Sequence, residues 1–389
     1  MAANGPRNFS KNLRNVVLLG ATGSVGRSTL QVLRSQPNDF RLIAISAHSN
    51  HALAESIQKE FSVRHLSLAD DASTPSPSQL AADDGADLVV LALPGMAALR
   101  PLLAAIEAGK TIVLASKEVV AAAGNCITLA LRQHPTARIL PVDSEHCAIF
   151  QCLAAPGMGV FHPFPSVRRI WLTASGGPFW DLPAEKFCQI TVEQALRHPS
   201  WSMGPKVSID AATMANKGLE EMEAAHFFQL RPDQICVTVH PGSRVHALVE
   251  FFGGFTTAAL HLPSMEIPIA HCLNHPNLPL VDREGIDFST PLRLEFFPPD
   301  RDRFPCLALA ENALRLGRSA PCDFDAANAE AVQAFLLQKI SFGQIPISIA
   351  RTLDALDPVD LTSVDAVEER HDEVRQLLRQ MLGRQGCAP

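Results

Sequence analysis

The sequence predicts an α/β protein: a doubly wound parallel sheet at the N-terminal end, then an α+β domain, then a small helical C-terminal domain. Three observations predict it. Short apolar runs alternate with helical spacings over residues 15–150, and a glycine-rich turn joins the first run to the first helix. Beyond residue 305 only helical spacings of Leu, Ala, Val and Phe occur.

Residues 1–14 are polar and basic, lack the apolar core of a signal peptide, and read as a tail. Asn15 to Gly20 is a continuous apolar strand, and GATGSVG at 20–26 turns it into a helix through Leu30 and Leu33. Three glycines at this spacing allow a tight turn, close approach of a pyrophosphate and packing of helix on strand. The turn makes domain 15–150 Rossmann-like and makes Gly20, Thr22, Gly23, Ser24 and Val25 candidate dinucleotide contacts. A glycine turn in some other α/β fold is the plainer alternative. The second strand, Phe40 to Ser46, leads into His48, Ser49 and Asn50, where an NAD enzyme of this architecture would place an acid for the ribose. None is present. A 2′-phosphate can instead take hydrogen bonds from Asn50 and its neighbours, which favours NADP over NAD.

A strand at Asp87 to Ala92, a helix at Met96 to Ala108 and a strand at Thr111 to Ala115 continue the alternation. The last strand delivers Ser116, Lys117 and Glu118 to the carboxyl edge of the sheet, where open α/β sheets bind ligands. Lys117 either reaches a substrate oxygen or pairs with Glu118 at the surface. Arg138 to Val142 is a further strand. If its geometry persists, Asp143 and Glu145 point the same way. Two carboxylates held so are costly without a cation between them, and an exposed acidic strand end is the alternative.

In domain 151–288, the strand Arg168 to Ala174 ends in Ser175-Gly176-Gly177-Pro178, whose N–H groups and hydroxyl suit an oxyanion. The loop 198–206 combines His198, Trp201, Met203 and the hinge residue Gly204, as a lid over a small ligand would. Next, Asn216 and Lys217 open a helix whose following turn carries Glu220, Glu221 and Glu223. An anion seat beside a hard-cation site fits that pattern, and a capped helix with a solvated acidic face is the plainer reading. Strands at Ile235 to Val239, Val245 to Phe252 and Thr256 to Leu262 follow, with Ser243 between the first two a candidate ligand contact. Residues 289–305 read as a linker, and 306–389 as helices over Cys306 to Leu316, Ala326 to Ile340 and Val367 to Leu382.

A net charge of −7 provides no basic stripe for nucleic acid. Nine cysteines without a Cys-x-x-Cys pair read as reduced thiols, so a cytoplasmic location is expected. The longest apolar run, Leu88 to Leu99, is broken by Pro94 and Gly95 and is too short for a bilayer, so no membrane partner is expected.

GATGSVG, ASKE, PVDSEHCAIFQ, LTASGGPF, HPSWSMGPK, ATMANKGLEEMEA, LPSMEIPIAH and RFPCLALA occur in one order along the chain. In this the sequence resembles the 1-deoxy-D-xylulose 5-phosphate reductoisomerase family from about Val16 to the C-terminal helices. The resemblance implies a homodimer that uses NADPH and one Mg2+ or Mn2+ on a small phosphorylated sugar, in the methylerythritol phosphate route to isoprenoids. It implies that Asp143, Glu145 and Glu220 hold the metal, and that Lys117, Glu145 and His198 take part in catalysis. Ser144, Ser175, His198, Trp201, Asn216, Lys217 and Glu220 would bind substrate, Ser175, Asn216 and Lys217 through its phosphate. Ser116, Glu118, Gly204 and Met265 would join the turn and Asn50 around the cofactor, with Glu223 a further acidic neighbour of the metal.

The chain departs from the family pattern at Ser116 for Asn, Ala211 for a phosphate-contacting Ser, Gly242 for Gln, His48 for Gly, and in the run Asp325-Ala-Ala-Asn328-Ala329. Three readings follow: the reductoisomerase; a dehydrogenase or diverged paralogue acting on a related hydroxy-carbonyl compound; and a non-catalytic NADP-binding relative. The third would be expected to have lost carboxylates or lysines that this chain keeps.

Overall fold

The computed structural model describes residues 13–153, 159–199, 201 and 203–385. The expected tail lies outside them up to residue 12, as do Ser200 and Ser202 of the expected lid. The N-terminal part runs β1 (Arg14–Leu19), α1 (Ser24–Ser35), β2 (Phe40–Ala47), α2 (His51–Phe61), β3 (His65–Leu68), α3 (Pro77–Ala81), β4 (Leu88–Leu91), α4 (Leu99–Glu107), β5 (Thr111–Leu114), α5 (Lys117–Gln133), β6 (Arg138–Pro141) and α6 (Ser144–Cys152). Its six strands form one sheet in the order β3-β2-β1-β4-β5-β6, and every pairing is parallel. Near-continuous apolar strands follow from burial on both faces: Val16 to Leu19 and Val89 to Leu91 are wholly buried. The order reverses between β1 and β4, so their carboxyl ends open a crevice into which the chain turns at α1.

The rest comprises β7 (Val167–Ala174), α7 (Val192–Ala195), α8 (Pro205–Thr213), α9 (Ala215–Phe227), β8 (Ile235–Val239), β9 (Val245–Phe251), β10 (Thr256–Leu260), α10 (Glu266–Asn274), α11 (Pro305–Leu316), α12 (Ala320–Leu336), α13 (Gln344–Asp354) and α14 (Val364–Gln385). A second sheet has the order β10-β9-β7-β8, with β7 and β8 parallel and the remaining pairs antiparallel. One core joins both sheets through α6 and the end of α9, where Ile149, Phe227 and Phe228 are buried with Leu172 and Val249. A second core packs Ile209, Leu219 and Met222 of α8 and α9 against Phe324, Phe335, Ile349 and Leu378 of the C-terminal helices. The helices that carry the acidic motif are thus held between a sheet and a bundle.

Several expected boundaries move. The helix expected from Ala326 begins at Ala320, and α13 is an additional helix whose Ile345 and Ile349 complete the second core. The irregular stretch is longer than the expected linker and runs from the end of α10 to α11, touching the second sheet through a bridge between Phe297 and Val239.

Candidate active site

At the first crevice, Gly20 has φ +88°, and a Cβ there would lie 2.4 Å from the carbonyl oxygen of Ala92. A Cβ on Gly26 would lie 2.3 Å from the oxygen of Gly20. Only glycine permits this closeness of turn, helix and neighbouring strand. Helix α1 starts at Gly23 without a side-chain cap and has no acidic residue in its first turn, so its N–H groups and positive dipole end suit a pyrophosphate. Ser24 and Val25 of that turn line one cavity together with Lys117, Asp143, Ser144, Glu145 and Met265. The same cavity is lined by Ser175, His198, Trp201, Gly204, Asn216, Lys217 and Glu220.

The carboxylates reach it differently from the sequence expectation. Strand β6 ends at Pro141; Asp143 is the N-cap of α6, accepting a bond from the Ser144 N–H, and Glu145 sits in the first helical turn. The two do not share a strand face. They converge because acceptors are favoured at a helix N-terminus, where the dipole stabilises negative charge. Glu220 joins them from α9, and one oxygen of each of the three lies within 4.8 Å of the others. The solvated-face alternative is excluded: Glu220, Glu221 and Glu223 are all buried.

Two ammonium groups hold this charge. Lys117 Nζ lies 2.6 Å from Asp143 Oδ2 and 3.0 Å from Glu220 Oε1, and donates to Asn216 Oδ1 at 2.9 Å. Lys217 Nζ donates to Glu145 Oε1 at 2.6 Å and also to Glu220. Both side chains expected to bind phosphate from the start of α9 are therefore turned to carboxylates, and Asn216 also donates to Glu220. Ser144 donates to Glu145. Burial opposes ionisation of Asp143, yet Lys117 and His146 hold it well below the usual carboxylate range. Burial, then the Glu145 charge, pushes Glu220 up, while the lysines pull against them. Glu223 is pushed up to about 8 by burial, and His146, buried between Glu223 and Asp143, is raised to about 9 by those acids against its own desolvation.

Three clustered carboxylates fit a hard divalent cation with oxygen ligands, and beside them neither Glu223 oxygen accepts a hydrogen bond from the described residues, Oε2 being held only by its ion-pair contact with His146. His146 received no role from the sequence. Its i,i+3 spacing from Asp143 on one helix was the available signal; its Nδ1 lies 3.5 Å from Asp143 Oδ2 and 3.2 Å from Glu223 Oε2.

On the other wall, His198 Nδ1 accepts the Trp201 N–H at 3.0 Å, which leaves Nε2 to carry the proton toward Ser175 Oγ, also 3.0 Å away. Ser175 Oγ accepts a second bond from the Gly177 N–H at 3.2 Å, leaving its own proton to donate to an anion. Burial lowers the His198 pKa, favouring this neutral tautomer. Trp201 meets His246 edge to face at 6.2 Å, and His246 stacks on His261 at 3.6 Å. His246, His240 and Ser243 line the cavity as well, of which the sequence singled out only Ser243.

Three expected cofactor residues have their side chains engaged elsewhere. Ser116 donates to the Leu93 carbonyl, Glu118 accepts from Lys206 at 3.2 Å, and Asn50 uses its side-chain oxygen to cap α2. Gly20, Thr22 and Gly23 lie in the turn itself and do not line this cavity.

Family models match most of the chain: 1-deoxy-D-xylulose 5-phosphate reductoisomerase over residues 16–81 and 74–124, its C-terminal domain over 139–228, and the DXP reductoisomerase C-terminal domain over 260–377. The enzyme of that name from Geobacter metallireducens is 40% identical over 389 residues, covering 95% of this chain and 100% of its own. That from a Geobacillus species is 41% identical with the same coverage. Among solved structures, the Zymomonas mobilis reductoisomerase in complex with NADPH superposes with a TM-score of 0.86 at 36% identity, over 95% of this chain and 99% of that one. A DOX-P reductoisomerase in complex with NADPH, fosmidomycin and magnesium gives 0.87 at 34%, over 97% and 100%. The chain belongs to the 1-deoxy-D-xylulose 5-phosphate reductoisomerase family.

Proposed function

We propose that the protein converts 1-deoxy-D-xylulose 5-phosphate and NADPH to 2-C-methyl-D-erythritol 4-phosphate and NADP+, with a divalent cation at Asp143, Glu145 and Glu220. The observation that carries this reading is the meeting, in one cavity, of three carboxylates, two buried lysines, an anion-accepting serine and the dinucleotide turn. The cation, Mg2+ or Mn2+, supplies Lewis acidity toward vicinal oxygens, and NADPH supplies the hydride.

The chain's own groups do the rest. Lys117 places positive charge where an enediolate oxygen develops during retro-aldol cleavage and aldol rejoining of the carbon skeleton. Ser144 orients Glu145. Ser175, with its hydroxyl proton available, takes a phosphate oxygen, and Asn216 and Lys217 take others once their carboxylate partners are engaged elsewhere. His198 spans from Ser175 to the backbone of Trp201, so anion binding at Ser175 is transmitted to the loop that excludes water. Ser24, Val25 and Met265 place the cofactor against the substrate.

We propose the domain limits 15–150, 151–288 and 306–389 set out above, and a homodimer. The second copy would cover the edge strand β10 with Phe255 beside it, 59% exposed, and the irregular stretch between α10 and α11, where Leu280 is 84% and Phe288 70% exposed. Leu280→Glu with Phe288→Glu should then shift light-scattering mass to that of one chain. No helix among the described residues is long and apolar enough to cross a membrane. A cytoplasmic location accords with the cysteines among the described residues, which are free thiols.

The test is NADPH oxidation, followed by absorbance, with 1-deoxy-D-xylulose 5-phosphate with and without Mg2+ or Mn2+. Metal-dependent oxidation is expected. Oxidation only with pre-formed aldehydes would replace the reading with a dehydrogenase.

A further inference from the structure

Gln36 caps the C-terminal end of α1, and Asn274 is the last residue of α10. Gln36 Nε2 donates to Asn274 Oδ1 at 3.1 Å, and Asn274 Nδ2 donates back to Gln36 Oε1 at 3.1 Å. Both residues are buried. Their outer partners settle which end of each amide is the nitrogen. Asn274 Nδ2 also meets the Ala270 carbonyl at 2.9 Å and Gln36 Nε2 the Asp39 carboxylate at 3.2 Å, and both of these groups accept. The two amides are therefore locked head to tail. Arg14, at the start of β1, donates to the carbonyls of Leu273 and His275, so the same end of α10 is also held on the first sheet.

The opposite ends of these two helices face the cavity. Ser24 and Val25 in the first turn of α1 and Met265, the N-cap of α10, line it together, whereas neither Gln36 nor Asn274 does. The helices thus run parallel, one following the dinucleotide turn and the other belonging to the second proposed domain. Between their ends they pack against one another, with Leu30, Leu33, Ile269 and Leu273 in one core. Apolar burial is non-directional, whereas paired amides select one axial register. A slip of one residue, about 1.5 Å along a helix axis, would break both bonds and leave buried polar groups unpaired.

We propose that Gln36 and Asn274 are positioning residues for the cofactor: by fixing the register of α10 against α1, they fix Met265 relative to the turn at residues 20–26. The proposal rests on the reductoisomerase reading, in which NADPH reaches from that turn to Met265. A dinucleotide that spans both helix N-termini depends on their offset, and a misplacement of about 1 Å is enough to be felt. A ligand held by the turn alone does not depend on it.

The test uses Gln36→Met, Asn274→Leu and their combination in the full chain. Each single variant leaves one amide buried without its partner, and should lower Tm and raise the NADPH Kd, read by nicotinamide fluorescence, about tenfold. The double variant leaves neither amide unpaired, so its Tm should recover while its NADPH Kd stays raised. 2′-Phospho-ADP-ribose, which carries the adenosine and pyrophosphate but no nicotinamide, should bind every variant within about twofold of wild type. Mn2+ binding, followed by electron paramagnetic resonance, should not change. The proposal is overturned if NADPH affinity is unchanged in the variants that fold, or if it recovers together with Tm in the double variant, as a purely structural pair requires. It is overturned equally if 2′-phospho-ADP-ribose weakens as much as NADPH, which would place the damage in the turn itself. Where a single variant fails to fold, the double variant carries the test. Absence of metal-dependent turnover in a wild type that binds NADPH would instead overturn the reductoisomerase reading, and the comparison of the two ligands would still report on the amide pair.

Discussion

The turn at residues 20–26 and the carboxylate cluster open into the same cavity, yet they are built in opposite ways. The turn binds through backbone: glycines that bring turn, helix and strand together, and the bare N-terminus of α1. The cluster binds through buried side chains from α5, α6 and α9 that neutralise one another. A backbone site is specified within one short stretch of chain and carries no titratable group. A side-chain site depends on long-range assembly and stores charge.

The largest effect is expected at Glu220, which contacts both lysines. Glu220→Gln should lower kcat by roughly 10³-fold or more, since it removes several kcal/mol of charge stabilisation. NADPH binding, measured by nicotinamide fluorescence, should hardly change. Equal loss of both would mean that the two sites are not separable.

This contrast also explains what the sequence made legible. The parallel sheet and its glycine turn could be read because strand, turn and helix are consecutive, and local spacing is enough to define them. The cluster could not be read that way. The strand geometry expected to align Asp143 with Glu145 is absent, and their convergence comes from a helix cap. The pairing of Lys217 with Glu145 spans 72 residues and is invisible to local spacing. The resemblance brought these residues together, but it did not show that Lys217 and Asn216 face carboxylates, nor that Glu118 faces Lys206. His246 went unassigned because a lone histidine beside an apolar run has no distinguishing pattern, and His146 because its i,i+3 spacing from Asp143 carries meaning only once a helix is known to start there.

A pH titration separates the two constructions further. His246 is buried and stacked on His261, and burial with that neighbour lowers its pKa to about 4. The unfolded chain takes up the proton near the ordinary value of about 6.5. The native state therefore binds fewer protons, and stability is full above about pH 6.5 and declines toward pH 4, by up to about 3 kcal/mol for this group. Thermal melts across that range should show the decline, and His246→Gln should remove this group's share of it, leaving that of His226 and His271, which burial also lowers to about 4. The intrinsic dinucleotide affinity of the turn should not follow it while the protein remains folded.

Gly20→Ala tests the backbone site. A methyl group placed 2.4 Å from the Ala92 oxygen at φ +88° must displace the turn or the strand, at a cost of about 1–3 kcal/mol. NADPH affinity should fall by roughly ten- to a hundredfold, while Mn2+ binding, followed by electron paramagnetic resonance, stays near wild type. A fall in metal affinity of the same size would show that the turn supports the cluster as well.

The smallest effect is expected where the chain departs from its family at the phosphate side. Ala211 lines the same cavity as Ser175, and its carbonyl oxygen lies 2.7 Å from the position of a Cβ on Gly177, so the backbone there is already close to the glycine turn. A hydroxyl on residue 211 can reach the ligand space without a new cavity having to form. A hydrogen bond to a charged group contributes about 1.5–3 kcal/mol, so Ala211→Ser should lower the sugar phosphate KM by up to about tenfold when partial compensation by Ser175 is allowed for. Inorganic phosphate, as a competitive inhibitor, should tighten in parallel, because the added bond goes to the phosphate and not to the reacting carbons. If KM falls without any change in phosphate inhibition, the hydroxyl is acting on the loop. If neither changes, Ser175, Asn216 and Lys217 already saturate the phosphate, and a hydroxyl on residue 211 adds nothing to the side-chain site.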